Sequence, residues 1–384
     1  SNYCYGEGGA GTYSDGKLYT RSTKRGNVKK VLDTFIQHGA DEKISYEAHP
    51  HIGTNKLPSI IARMRKTILD FGGEINFEKK LIDLELADNK INKLVCQDGS
   101  EFACEQLILA TGHSARDIFY LLDKKGIKIE AKPFALGVRI EHTQALIDSI
   151  QYRRPARGKD LPPASYSIVS QAGGRGVFSF CMCPGGVIAS ASTDISETVV
   201  NGWSSSARNG TYSNSGMVVE VKPENWTAYD QHGALAALKF QERIERKAFK
   251  TTGSIQAPAQ RIEDFIQGRA SSSLPRTSYQ PGITSTDLEE ILPDFITKSL
   301  RLGLIEFGKK MRGYRTNEAI LVGVESRTSS PVRIPRDKES LRHPQIKNLY
   351  PCGEGAGYAG GIVSAAIDGM RCANALYLSQ QEKA

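Results

Sequence analysis

The sequence predicts an α/β protein: a Rossmann-like domain carrying a β-meander, interrupted by an inserted mixed α+β domain. Three observations predict it. A helix-like stretch at 54–72 leads into short β-like runs that end in the apolar "LILATG" at 107–112. From about residue 131 the character changes to Gly-rich, strand-like segments separated by Ser- and Pro-bearing loops. After about residue 333 the first pattern returns as a short apolar strand, a glycine loop and a long helix. The expected organisation is 1–130 and 334–384 for the two parts of the outer domain, with 131–333 inserted as a substrate or cap domain.

The elements follow in chain order. "TNKLPSIIARMRKTILDFGG" has Thr54 or Asn55 as a helix cap, Pro58 in the first turn, apolar residues at Ile60, Ile61, Met64, Ile68 and Phe71, and Gly72 as the stop. A strand over "GEINF" and a small meander follow, with turns at 88–90 and at Asp98-Gly99. In the middle region, "KPFALGVRIEHT", "VFSFCMCPGGVIASAS" and "GMVVEVKPENW" read as strands, and "ALAALKFQERIERKAF" as a helix. A second helical stretch begins with Thr286 and Glu289 as a capping box, and Pro293 marks a restart. In the last helix, Ala365, Gly369 and Ala373 form a small-residue stripe suited to close packing on a sheet.

Composition narrows the function classes. The 384 residues include 39% hydrophobic and 24% charged residues, typical of a globular chain. No run approaches the ~18 apolar residues of a membrane helix, and no secretory leader pattern opens the sequence, so the expected compartment is cytoplasmic. Seven cysteines, an odd number, read as reduced thiols rather than a disulfide framework. The net charge of +8 is dispersed among interleaved acids. That dispersal argues against nucleic acid as partner and suits steering of small anionic ligands.

Two glycine loops carry the functional signal. The first, "GEGGAGTYSDGK", satisfies G-x-G-x-x-G at Gly6, Gly8 and Gly11, yet no helical period follows it. A dinucleotide fingerprint needs a strand before and a helix after, so this loop reads as backbone wrapping a ligand held by other residues. The second, "CGEGAGYAGGI", has apolar "NLYP" before it and a helix after it. Its Gly360, Gly361 and Ile362 amides open that helix, and Glu354 is placed to accept hydrogen bonds from hydroxyl groups.

Together with "LILATGHSARD", "FSFCMCPGG" and "VESRTSSPVRIPRD", these loops resemble a bacterial family of FAD-dependent dehydrogenases, along essentially the whole chain. The family belongs to the two-dinucleotide-binding flavoproteins with the glutathione-reductase type of FAD domain. The resemblance implies an oxidoreductase passing hydride between a small-molecule substrate and FAD, with NAD(P)H as a candidate electron partner. It implies cofactor-binding roles for Gly6, Glu7, Gly8, Gly9, Ala10, Gly11, Thr12, Ser14, Asp15, Gly16 and Lys17 in the first loop. It implies the same for Thr111 and Gly112, and for Gly353, Glu354, Gly355, Gly357, Tyr358, Gly360, Gly361 and Ile362. Family members carry a further strand, glycine loop and helix ahead of "GEGGAG", and nothing here plays that part. A fragment lacking the adenosine-phosphate half of the site, and binding FAD poorly by itself, is therefore expected. Two other readings stand beside this one: a flavoprotein acting on RNA, as in tRNA modification, and a non-catalytic flavin- or ligand-binding module.

Candidates for chemistry are few. In "ESRTSSP", Arg327 is expected to clamp an anionic substrate, with Ser329 and Ser330 hydrogen-bonding it. Cys181 and Cys183 alternate with Phe180 and Met182, so two thiols share one strand face as a candidate relay, against a plainer reading as small buried residues. Cys352 reads as strand-end packing. His49 and His51 lack a third ligand, and no metal site is expected. His113 falls by the cofactor or in a turn. No nucleophile triad or carboxylate pair stands out, which disfavours hydrolysis.

Overall fold

A computed structural model of the chain describes residue 4 and residues 6–20 and 26–381. Its first third holds helices Val28–Gln37 (α1) and Leu57–Asp70 (α2), strands Leu81–Ala87 (β1), Lys90–Cys96 (β2), Glu101–Ala103 (β3) and Leu107–Leu109 (β4), and helix Arg116–Lys124 (α3). The middle holds Glu130–Ala131 (β5), Phe134–Thr143 (β6), Gln144–Tyr152 (α4), Val169–Ala172 (β7), Arg175–Cys183 (β8), Val187–Ser190 (β9), Val200–Trp203 (β10) and Tyr212–Val221 (β11). It continues through Ala236–Thr252 (α5), Ala257–Arg261 (β12), Ile262–Gln267 (α6), Ile283–Ser285 (β13), Asp294–Lys310 (α7), Ile320–Glu325 (β14) and Val332–Arg333 (β15). Leu349–Pro351 (β16) and Ile362–Gln381 (α8) close the chain.

The protein is a mixed α/β structure built on a seven-stranded mixed sheet in the order β13-β12-β14-β6-β11-β8-β7. β12 and β13 run parallel, and the other neighbours are antiparallel. Side chains alternate along β6: Phe134, Leu136, Val138 and Ile140 enter the main apolar core with Phe240, Ile244, Leu300 and Leu304 of α5 and α7. The intervening residues, among them Arg139 and Glu141, face the opposite side and are also buried. That second face is therefore polar and buried, which is costly unless each charge is matched.

Two smaller cores flank the sheet. One joins Leu18, Val31, Phe35 and Ile60 to Val363 and Ile367 of α8. The other joins residues 84–129 to Val332, Ile334 and Leu349, with Leu235 and Leu238 contributed from the chain just before and within α5. β4 and β16, almost 250 positions apart, pair in parallel, with Leu349 beside Leu107 and Pro351 beside Leu109. At the β1–β2 turn, Asp88 and Asn89 have φ of 52° and 59°. Two left-handed residues in succession match a type I′ hairpin, and Asp and Asn tolerate that conformation.

Four local expectations are corrected. No strand forms at 74–80; the chain there is coil and turn. Lys56, not Thr54 or Asn55, is the N-cap of α2. Thr54 instead donates to the Ser14 and Ser204 carbonyls, and Asn55 donates to Ser206 Oγ while accepting its amide, so long-range contacts take the capping groups. Asp287 rather than Thr286 caps the short turn before α7, accepting from the Glu289 amide. On α8 the buried stripe is Val363, Ile367 and Cys372, while the space a side chain would fill at Gly369 is open. Bulky apolar residues, not the small ones, dock this helix.

Candidate functional site

The site grows from the ends of the parallel pair β4 and β16. Past Leu109 and Pro351 both chains turn at glycine, Gly112 with φ 74° and Gly353 with φ 75°. A side chain at either would be strained. The two turns touch: a Cβ on Gly355 would lie 2.6 Å from the Gly112 carbonyl oxygen and 2.9 Å from its nitrogen. Asp368 of α8 fixes the second turn by accepting from the Gly353 amide at 2.8 Å, and Arg336 holds Asp368 in turn. His113 Nδ1 lies 3.2 Å from Glu354 Oε1, linking the side chains as the glycines link the backbones.

The first glycine loop joins them from the far end of the sequence. Ile362, the first residue of α8, lies against Gly11, 3.3 Å from where its Cβ would be. Within the loop the expected binding residues divide into two kinds. Thr12 and Ser14 bond back to the Glu7 and Gly11 carbonyls, and Gly16 lies against the Gly53 amide, so these residues hold the loop's shape. Asp15 is almost fully buried, 2.7 Å from Arg208 and 3.4 Å from Lys17. Burial alone would raise its carboxyl; Lys17 and Arg208 outweigh that and leave it lowered. Gly6 and Gly9, by contrast, have nothing within 4 Å of a Cβ position, as is true of Gly112, Gly353, Gly360 and Gly361.

In the second loop, Gly357 (φ 83°) packs on Lys132 and Val332, and Tyr358 lies under the Arg336 guanidinium at 3.8 Å. These two residues support the loop. Thr111, Gly360 and Gly361 are exposed.

The expected clamp at Arg327 is corrected by its surroundings. Its guanidinium reaches Glu197 at 2.6 Å, Glu245 at 3.0 and 3.2 Å, Thr193 at 2.7 Å and Ser114 at 3.4 Å, so all five donors are engaged. Arg116 meets the same two carboxylates at 2.8 Å. The four charges cancel in a buried square that ties α3, the β9–β10 region, α5 and the segment after β14 together. Burial would raise the Glu245 carboxyl, but Arg116 and Arg327 bring it down to about 2. Ser330 is also spent locally: its hydroxyl donates to the Val332 carbonyl and accepts the Val332 amide. Ser329 is half-buried beside it. The polar segment "ESRTSSP" gave no sign of this, because its partners Glu197 and Glu245 lie far away in sequence.

Sequence reasoning missed several pairings outright. Arg208 on Asp15, His113 on Glu354 and Lys17 on the Cys181/Cys183 pair all join distant segments and have no local pattern. Cys352, Asp368 and Cys372 also cluster, with ligand atoms within 4.8 Å of one another. Arg336 is 2.9 Å from Asp368 and 3.2 Å from Cys372 Sγ, so a guanidinium already fills the cation's place. His51 contacts the Ser206 carbonyl, and His49 lies edge-on to Tyr19. Among the described residues no helix is long and apolar enough to cross a membrane.

Residues 133–328 match the family model described as "FAD-dependent protein, C-terminal domain-like". The chain belongs to this family. An uncharacterized protein of Clostridium beijerinckii is 43% identical over 378 residues, 97% of this chain and 70% of the relative. Among solved structures, an oxidoreductase from Methanosarcina mazei is 12% identical, with a TM-score of 0.31 over 83% of this chain and 54% of its own. Glycine oxidase from Bacillus cereus is also 12% identical, with a TM-score of 0.30 over 94% of this chain and 72% of its own. Membership of the FAD-dependent family rests on the family model, and the Clostridium relative extends sequence likeness over 97% of the chain.

The residues present fit a flavin. Six glycines leave space where side chains would stand, Glu7 Oε1 is buried there without a hydrogen-bond partner, and His113 Nδ1 has only its 3.2 Å approach to Glu354, which lacks hydrogen-bond geometry. Orphaned polar atoms beside open backbone are what a polar, planar ligand would satisfy.

Proposed function

We propose that the chain is the flavin- and substrate-binding body of an FAD-dependent oxidoreductase acting on a small molecule. One observation carries the reading. Two segments that resemble flavin-binding motifs, 111–113 and 353–362, meet past the ends of one parallel strand pair, and a third, 6–12, reaches the second through Gly11 on Ile362, about 350 positions away. Ligands of α/β sheets characteristically sit at the carboxyl ends of parallel strands.

In this reading, 1–130 and 334–384 form an incomplete Rossmann-like FAD domain, and 131–333 is the inserted substrate or cap domain. Gly112, Gly353 and Gly355 keep the backbone low enough for the ligand to approach. Gly361 and Ile362 present the first amides of α8, whose dipole favours electron-rich atoms, while the Gly360 amide donates to Ser364 Oγ. Gly6 and Gly9 line the facing side. Glu354 accepts from hydroxyl groups, and His113 orients it. Bound FAD would supply two-electron chemistry that side chains cannot. The substrate is held under the inserted domain, and a nicotinamide is the proposed second electron partner.

The test is a fluorescence and visible-absorbance titration of the protein with FAD, repeated with Gly361→Glu. Flavin fluorescence quenched by the native protein, with at least tenfold weaker binding by the variant, supports the reading. Because this chain is expected to bind FAD weakly by itself, the titration runs to millimolar FAD; no quenching even there, or equal binding by both, overturns the reading.

A further inference from the structure

The thiol pair at the end of β8 is the strongest chemical cluster the flavin reading leaves unused. Across β11, Asn214 faces Cys183 and Gly216 faces Phe180, so β8 carries one extra residue between those pairs. Cys181 sits in that irregularity with φ 48°. A bulge of this kind bends the strand and re-aims its side chains. Both sulfurs then face one ammonium: Lys17 Nζ is 3.6 Å from Cys181 Sγ and 3.8 Å from Cys183 Sγ. Buried Arg139 donates to the Cys181 carbonyl at 2.6 Å and reaches Cys183 Sγ at 3.5 Å. Cys181 is partly exposed and Cys183 fully buried, so only the first is open to an incoming reagent.

The charges around the pair come from several elements. Lys17, Arg139 and Arg208 are cations; Asp15 and Glu325 are the facing carboxylates, and Glu141, raised by burial and bonded to Ser278, lies two residues along β6 from Arg139. Two neutral groups complete the shell. Burial and then Arg208 lower the His51 imidazole, and burial pushes the Tyr166 phenol up to about 12.

We propose that Cys181 and Cys183 form a two-electron dithiol centre that reduces a small-molecule disulfide. The Cys181 thiolate attacks one sulfur of the substrate, forming a mixed disulfide and expelling the first thiolate, which takes a proton from solvent. Cys183 then loses its proton and attacks Cys181 Sγ, expelling the second half. One disulfide becomes two thiols, and the two cysteines become a disulfide. The contact with Cys183 and the charges of Lys17 and Arg139 outweigh burial and hold Cys181 well below its ordinary value, while Cys183 is held above it. That split suits attack by the first and resolution by the second. The centre stands apart from the flavin reading, although Lys17 lies in the same loop as Gly6 and Gly9.

Reduced full-length protein treated with oxidised glutathione and mapped by mass spectrometry tests this. The native chain should lose the mass of two hydrogens and carry a Cys181–Cys183 bridge. Cys183→Ser should stop at a glutathione adduct on Cys181. Lys17→Gln should move the pH profile of that adduct upward, because the ammonium is one of the charges that lowers Cys181. Lys17→Arg should keep most of the rate. Without any variant, iodoacetamide labelling of Cys181 in the native chain should reach half-maximal rate well below the pH needed for Cys104. Labelling of Cys181 no faster than Cys104, an adduct on another cysteine in Cys183→Ser, or a bridge between Cys352 and Cys372 alone overturns the proposal. Flavin binding is read separately, so either result leaves the two proposals distinguishable.

Discussion

Gly355 lies against Gly112 backbone to backbone, so close that one methyl group on Gly355 would lie 2.6 Å from the Gly112 carbonyl oxygen. This contact holds together two turns that follow parallel strands. Gly355→Ala should therefore force them apart, costing about 1–3 kcal/mol as an overpacked site does. Gly361→Ala has open space and should stay within about 0.5 kcal/mol of the native chain. Urea unfolding of both variants checks the contrast; equal destabilisation would contradict the contact.

The buried square of Arg116, Arg327, Glu197 and Glu245 makes a second prediction. Arg327→Met removes one cation and leaves carboxylates with a single partner, so a loss of about 3–5 kcal/mol is expected. The sign with pH follows from Glu245. Its folded value, about 2, is below the ordinary glutamate value, so its contribution is present at neutral pH and lost as pH falls from about 4.3 toward 2. Glu197, raised by burial and by the charge of Glu245, opposes this in part. Chemical unfolding at neutral pH reads the loss in the variant. A variant as stable as the native chain would show that the square contributes nothing.

His142 gives a third. It is buried on β6 with Nε2 2.8 Å from the Tyr314 carbonyl oxygen, and burial lowers it to about 4. Since the unfolded imidazole protonates near 6.5 and the folded one does not, stability is present above that value and drains away as pH falls from 6.5 to 4. Between pH 7 and pH 5 the loss should be about 2 kcal/mol. His142→Gln should flatten the slope over that range, and an unchanged slope would assign it to other groups.

Much of the fold was legible wherever a pattern was local. The helix at α2, the meander, the strands β6, β8 and β11, and the glycine loop leading into α8 all announced themselves by periodicity or turn residues. Caps were less legible, since Thr54 and Asn55 are good capping residues that long-range partners claim first. The stripe of Ala365, Gly369 and Ala373 misled because helical spacing shows that residues share a face, not which face is buried.

Site residues divided along the same line. Open glycines were visible as motifs. Whether a charged side chain is free for a ligand depends on partners elsewhere in the chain: Arg327 is saturated by Glu197 and Glu245, while Lys17 is turned toward two thiols more than 160 positions away. Spacing within a segment holds no record of either.

Hydrogen exchange of the full chain with and without saturating FAD tests the central claim most directly. Simultaneous added protection of the amides at 6–12, 111–113 and 353–362 is the predicted result, because one ligand would touch all three. Protection confined to other segments, or none at saturating FAD, would contradict the flavin site proposed here.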